Sequence, residues 1–195
     1  GTLSADTTPP TLSSSTPADN ATSVAPNSNI VLNFNENVAK GTGNISIVKT
    51  SDDSAQVIDV TSGQVTVSGS QVTIDPGTDL DLNTAYHVLV DSTAIVDTAD
   101  TPNAFAGISA NTVLNFTTIA APVLASSTPS DDATRVSNIA DIVLNFDRNV
   151  TAQSGNNLTI VNTDDASDNR VIAVDDAQVS VSGSAVTVNP TNELK

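Results

Sequence analysis

The chain of 195 residues has 22 acidic residues against 6 basic ones, a formal net charge of −16, although only 14% of its residues are charged. This excess of negative charge repels phosphate-rich surfaces, so neither nucleic acid nor an anionic membrane is an expected partner. Cysteine, methionine and tryptophan are absent, and no stretch approaches the roughly 18 apolar residues of a membrane span. These features favour an exported protein that does not insert into a membrane and has no disulfide bond.

Short alternating apolar runs separated by turn residues fill the first half of the chain, and this pattern predicts an all-β sandwich. In the run 29–34, Ile30, Leu32 and Phe34 alternate with Val31 and Asn33, so the first three are expected to face the core. In chain order, the predicted strands are 11–15, 29–34, 44–49, 56–61, 64–68, 71–75, 85–91 and 112–118.

Turn residues separate these runs at two informative places. The segment 16–20, with Thr-Pro followed by Asp-Asn, predicts a turn between the first two strands. Ser68-Gly69-Ser70 predicts a hairpin in which the glycine takes a positive φ. On the run 85–91, His87 alternates outward between Tyr86 and Val88 and is expected to be an exposed polar residue of the strand.

The chain contains two copies of a similar sequence. The segment 15–38 returns at 127–150 with 14 of 24 positions identical and no gap, and the segment 64–76 returns at 178–190. The offset drifts only from 112 to 114 residues, a period that is too long for a solenoid unit and fits a complete domain. We therefore expect two tandem domains, and neighbouring repeats are the first expected partners.

The predicted domain boundaries are 1–119, with a linker at 5–10, and 120–195. The segments 6–11 and 117–122 precede the first strand of each copy and contain proline without being rich in glycine. We expect both to be extended, semi-rigid linkers.

Several motifs occur in a fixed order: TPPTL, STPADNATSV, IVLNFNENV, VSGSQVTIDP, LNTAYHVLV, and AFAGIS followed by NFTT. This order, which covers nearly the whole chain, resembles the bacterial Ig-like repeat found in S-layer proteins and in large secreted or surface-anchored adhesins. The resemblance implies tandem Ig-like Greek-key β-sandwiches, an extracellular or bacterial cell-surface location, and no reaction. Family members often have an Asp, Gly, Asn cluster before AFAG, but here Asp100 stands at the usual glycine.

The second copy has no counterpart of the motifs from LNTAYHVLV to NFTT, because Leu194 aligns with Leu80. In an Ig sandwich those last strands pair centrally with the sheet that the third strand joins, so we expect a long exposed edge and an open core here. This half is expected to be stable only when something supplies the strands. Strand donation by another chain, a sequence boundary and a proteolytic clip are the alternatives.

No catalytic residue is expected. A Ser-His-Asp triad would have to be built around His87, yet the sequence has no G-x-S-x-G elbow. The two glutamates, Glu36 and Glu193, both lie outside apolar runs that would raise a pKa for acid catalysis. The prediction is that the chain is not an enzyme.

Calcium is the cofactor that the residue types suggest, since a hard cation takes six to eight oxygen ligands and loops of Asp and Asn supply them. The preferred ligands are Asp6 in the linker, together with Asp97 and Asp100 in one loop, because a metal between adjacent domains would rigidify the array. No EF-hand spacing is present, and aspartates that cap their own turns are the alternative for each cluster. The remaining candidates are Asn103 beside Asp97, Asp52 with Asp53, and Asp164 with Asp165 and Asp168.

The expected function is that of a non-catalytic structural spacer in a larger bacterial surface or secreted protein, such as an adhesin or S-layer protein. The alternatives are a carbohydrate- or protein-binding module and an accessory domain of a secreted hydrolase. Sugar sites usually need exposed aromatic platforms, and the chain has one Tyr and four Phe, most at inward positions. Phe105, in the loop before the last predicted strand, is assigned to neither the core nor the surface.

Overall fold

The computed structural model describes residues 6–194 and forms two compact units, Gly1–Ala121 and Pro122–Lys195. Both units are built from β-strands, as the alternation predicted. The division falls two residues beyond the boundary expected at 119/120. Ala5, the first residue of the expected linker at 5–10, lies outside the described residues.

The first unit is a sandwich of two sheets. Its strands are β1 (Leu12–Thr16), β2 (Ala21–Val24), β3 (Ile30–Phe34), β4 (Val38–Lys40), β5 (Asn44–Lys49), β6 (Ala55–Asp59), β7 (Val65–Ser68), β8 (Gln71–Ile74), β9 (Ala85–Val90), β10 (Ile95–Asp97) and β11 (Asn115–Thr118). One sheet has the order β1-β3-β8-β7 and the other the order β2-β11-β9-β5-β6, while β10 pairs with β4. The late strand β9 lies centrally, between β11 and β5, as the Ig resemblance implied.

The core lies between the two sheets and is formed by the predicted alternating stripes. Leu32 on β3 and Val88 on β9 are both fully buried and belong to one hydrophobic cluster. Burial of an aliphatic side chain of this size stabilises a fold by about 1.5–3 kcal/mol. Phe105 also belongs to this core, with its ring edge-on to Phe34 at a centroid distance of 5.2 Å.

Tyr86 forms a corner at the start of β9. Its phenol oxygen accepts a hydrogen bond from the backbone N–H of Asp81 at 3.0 Å, and its ring stacks on Phe116 with centroids 5.9 Å apart. A tyrosine near the start of this strand, bonded to backbone a few residues upstream, is a hallmark of Ig sandwiches. Lys49 pairs with the Asp81 carboxylate at 2.8 Å beside this corner.

The predicted reversals are confirmed, while three short strands were missed. Gly69 has φ +60° in the hairpin of β7 and β8, and a turn follows Thr16. The short strands β2, β4 and β10 were not predicted. Each depends on a distant partner, since β2 runs parallel to β11 and β4 pairs with β10.

The predicted start of the linker at 117–122 was wrong. Thr117 and Thr118 belong to β11, and Ile119 still donates a backbone hydrogen bond to the carbonyl of Val24 at 2.8 Å. The predicted strand at 112–118 is correspondingly shorter at its start, because the backbone N–H of Val113 closes a turn on Ala110.

The second unit contains fewer strands. They are β12 (Leu124–Thr128), β13 (Ile142–Phe146), β14 (Asn157–Ile160), β15 (Arg170–Ala173), β16 (Val179–Ser182) and β17 (Ala185–Val188), with a short 3-10 helix at Ala166–Asp168. One sheet has the order β12-β13-β17-β16, which repeats β1-β3-β8-β7, and β14 pairs only with β15. The segments 133–136 and 150–152 align with β2 and β4 but are not strands. In the first unit, β2 and β4 are held by their pairing with β11 and β10.

Candidate metal centre

Asp97 is the most deeply placed carboxylate of the first unit. It ends β10 and is 2% exposed. One carboxylate oxygen accepts the backbone N–H groups of Ala99 at 3.1 Å and Asn103 at 2.9 Å, and the other accepts the Asn103 side-chain amide at 2.7 Å. Asp97 thus fixes the loop 98–103, which leads to the buried Phe105.

Three carboxylates meet at this point. One ligand oxygen each from Asp6, Glu36 and Asp97 lies within 4.8 Å of the other two. Asp6 precedes β1 and Glu36 lies in the bend between β3 and β4. The pairing of β4 with β10 sets Val38 opposite Asp97, and this pairing brings the bend beside Asp97.

The Asn103 side chain ties two parts of the cluster together. Its amide nitrogen donates to Asp97 and also to the backbone carbonyl of Asp6, at 3.2 Å. Asp6 in turn accepts both the hydroxyl and the backbone N–H of Thr8, at 2.6 and 3.0 Å. The short connection before β1 is therefore fastened to the loop after β10.

Local donors keep two of these carboxylates ionised. The pKa of Asp97 is lowered from 3.8, chiefly because the Asn103 side chain donates to the charged form. The pKa of Asp6 is also lowered, first by the Thr8 hydroxyl, whereas the nearby Asp97 charge acts in the opposite direction. Two anions held close together by donors form an arrangement in which a cation relieves repulsion.

Of the residues proposed from sequence, Asp6 and Asp97 come together and Asp100 does not join them. Asp100 is exposed and is not part of the three-carboxylate group. Glu36 takes the third place, although sequence reasoning passed over it. Its approach depends on the pairing of β4 and β10, and neither strand was predicted.

The chemistry of the cluster fits a hard divalent cation, because all three side chains offer oxygen and none offers nitrogen or sulfur. The second copy lacks the set, because Thr118 and Arg148 align with Asp6 and Glu36.

The other candidate clusters have local roles. Asp52 and Asp165 each accept hydrogen bonds from the backbone N–H and the hydroxyl of the serine two residues further along the chain. Asp168 pairs with Arg170 at 2.9 Å. These three aspartates act locally in their own turns or ion pair.

The sequence matches the family model described as bacterial Ig-like domain over residues 6–118 and again over residues 119–195. The chain belongs to the bacterial Ig-like domain family. Domains of this family are generally non-catalytic and are typical of bacterial surface proteins. No curated protein matches the sequence closely enough to serve as a relative.

His87 has a different environment in the Ig-like unit from the one expected. The prediction of an exposed residue was wrong, since His87 is 6% exposed. It lies on the central strand β9 between cross-strand partners Val48 and Asn115, and its Nδ1 is 3.0 Å from the Thr50 hydroxyl. Strand alternation gives the face on which a side chain lies but not what covers that face.

Throughout residues 6–194, no helix has the length and apolar character that a membrane span requires.

Proposed function

We propose that the two Ig-like units form a non-catalytic structural spacer of a bacterial cell-surface or secreted multi-domain protein, such as an adhesin or S-layer protein. The observation that carries the proposal is the tandem placement of two family domains whose chemically distinctive side chains serve the fold. His87 is buried beside Thr50, Tyr86 caps a corner, and Asp97 fastens a loop.

The positions of the aromatic side chains favour the spacer over a carbohydrate-binding module. Recognition of sugar rings usually requires aromatic faces open to solvent. Phe146 is half-buried, and the other four aromatic side chains are buried: Phe34, Tyr86, Phe105 and Phe116. A protein-binding module, or an accessory domain of a secreted hydrolase, would have the same fold and differ in what it contacts.

A replacement experiment in the producing bacterium tests the spacer role. Both units are exchanged for two unrelated β-sandwiches of equal total length, and in a second strain they are deleted. A spacer predicts that the exchange preserves adhesion or surface-layer assembly, whereas deletion impairs it. Loss of function on exchange would identify a binding module instead. Antibody labelling of intact cells tests the proposed surface location separately.

We also propose that the first unit binds calcium through Asp6, Glu36 and Asp97. The specific support is the approach of three carboxylate oxygens within 4.8 Å of one another. Calcium bound here would join the segment before β1 to the bend after β3 and the end of β10. A ligand present at a hundred times its Kd would add about 2.7 kcal/mol to the stability of the unit.

The effect of one substitution on stability, with and without calcium, tests the calcium proposal. Tyr86 is the only tyrosine and tryptophan is absent, so tyrosine fluorescence follows unfolding of the first unit alone. Glu36→Gln removes one of three like charges; we expect it to leave stability equal or higher without calcium and to abolish the rise in Tm with calcium. Asp100→Asn is the matched control and should retain the rise. Equal Tm shifts from CaCl2 and from NaCl of matched ionic strength would reduce the effect to screening.

A further inference from the structure

The outer face of the sheet β1-β3-β8-β7 has no charged side chain. On β3, Ile30 and Leu32 are buried, so Val31 and Asn33 lie on the opposite side of the sheet, away from the core. The strand register sets eight outward residues in two rows across the sheet. One row is Thr16, Val31, Thr73 and Thr66, and the other is Ser14, Asn33, Gln71 and Ser68. We call these eight residues the neutral face of the first unit.

The second unit repeats the neutral face on its sheet β12-β13-β17-β16. Six of the eight aligned positions are identical, and the two exchanges, Thr66 for Ser180 and Gln71 for Ala185, introduce no charge. The corresponding rows are Thr128, Val143, Thr187 and Ser180, and Ser126, Asn145, Ala185 and Ser182. A charge-free outer face is therefore a property of the repeat and not of one copy.

Hydrogen bonds order the amide side chains of the neutral face. The Asn33 amide donates to the Ser14 hydroxyl at 3.1 Å, and the Gln71 amide donates to the Asn33 carbonyl oxygen at 3.0 Å. In the second unit the Asn145 amide donates to the Ser126 hydroxyl at 3.2 Å. Side chains that are already ordered lose less conformational entropy when a partner covers them. The face is thus prepared for a contact.

The charge of the chain limits where a second copy could approach. With 22 acidic residues and only 6 basic ones, two copies repel each other, and contacts between their loops would bring carboxylates together. Apart from Asp59 and Asp97, the acidic residues all lie outside the β-strands. The neutral face therefore lets two copies meet without placing carboxylates opposite one another.

The chemistry of the neutral face makes it complementary to itself. A hydroxyl group and a primary amide each donate and accept hydrogen bonds, so two such faces can satisfy each other. Their side chains are short, as close packing of two sheets at about 10 Å requires.

We infer that the neutral face is a contact surface for one occupant, the neutral face of a second copy of this chain. A contact between identical surfaces is isologous and closes on itself. Eight side chains are fewer than the roughly 20–30 residues on each side of a standard interface, so the contact between free chains is weak. It gains weight where neighbouring copies are held at millimolar effective concentration. The inference depends on neither the spacer role nor the calcium site.

Concentration-dependent NMR spectra of the full chain test the contact. Backbone amide shifts are compared between about 0.05 and about 1 mM protein, in low and in high NaCl. We expect the shift changes to be confined to the strands that carry the neutral faces. Because repulsion between the acidic chains opposes the contact, raising NaCl from about 0.05 to about 0.5 M should lower the dissociation constant at least about threefold. The absence of shift changes at about 1 mM in both salts would overturn the inference.

Two pairs of substitutions make the result specific. Thr66→Asp with Ser180→Asp puts one carboxylate on each neutral face, at exposed positions of β7 and β16, and should weaken the association at least about tenfold. Val57→Asp with Val171→Asp is the matched control, because it adds the same charge at exposed, corresponding positions of β6 and β15. The control should weaken the association less than about threefold.

Three results from these variants would overturn the inference. They are association that survives Thr66→Asp with Ser180→Asp, equal weakening by the control pair, and shift changes confined to strands outside the neutral faces. The dispersion of the amide spectrum shows in the same experiment whether both units of each variant remain folded.

Discussion

The phenol oxygen of Tyr86 accepts the backbone N–H of Asp81 at 3.0 Å, which closes the corner before the central strand β9. Tyr86→Phe keeps the ring on Phe116 and removes only this acceptor. We expect a loss of about 0.5–1.5 kcal/mol in the free energy of unfolding of the first unit, measured by urea denaturation followed by circular dichroism. Val113→Ala, at an exposed position, should change it by less than about 0.5 kcal/mol. Equal stability of Tyr86→Phe and wild type would mean that water replaces the phenol.

Both the backbone conformation at position 107 and the neighbouring atoms require a glycine there. Its φ is +82°, and a Cβ placed on it would lie 2.5 Å from the carbonyl oxygen of Val90. Gly107→Ala should therefore destabilise the first unit by more than about 1 kcal/mol, measured from the urea midpoint of Tyr86 fluorescence. Gly63→Ala is the matched control, because a Cβ there would meet nothing within 4 Å. If both variants lost stability equally, the close approach to Val90 would not be the cause.

Asp97 makes the first unit sensitive to acid. Because its folded pKa lies below 3.8, its contribution to stability is present above the unfolded value and is lost as the pH falls through the folded value. We expect the urea midpoint of Tyr86 fluorescence to fall as the pH is lowered below 3.8. In Asp97→Asn, which is already less stable than the wild type at pH 7, the midpoint should fall less steeply. Asp100→Asn should retain the wild-type slope. If the urea midpoint fell equally steeply with pH in the wild type and in both variants, Asp97 would not be the source of the acid sensitivity.

Limited proteolysis should distinguish the two units. Lys49 and Arg170 lie at strand ends and are in comparable ion pairs, with Asp81 at 2.8 Å and Asp168 at 2.9 Å. Because the second unit buries far fewer apolar side chains, its local opening costs less free energy. Trypsin should cleave after Arg170 at least about tenfold faster than after Lys49, as followed by intact mass. After heat unfolding the two sites should be cut at similar rates, and equal protection in the native chain would contradict the expectation.

Strong local periodicity predicted much of the fold. The strand β5 has the predicted bounds, and the inward stripe of β3 is buried. The strands β2 and β4 escaped prediction because three or four residues have too little periodicity of their own. Their pairing with β11 and β10 is what makes them strands, and such pairing is a tertiary property.

The candidate site was predictable only in part, for a related reason. Composition pointed to oxygen ligands, and Asp6 and Asp97 do come together. The third carboxylate is Glu36 instead of Asp100, because the pairing of Val38 with Asp97 brings the bend after β3 to the cluster. A neighbour produced by strand pairing leaves no spacing signal in the sequence.

The two versions of the segment that forms β2 carry a practical message for anyone expressing pieces of such arrays. The letters ATSV form a strand at Ala21–Val24, while ATRV at 133–136 does not. The strand at Ala21–Val24 is held by its parallel pairing with β11, which lies more than 90 residues further along the chain. An expressed piece that contains β2 is therefore expected to keep this strand only when the same piece also includes β11.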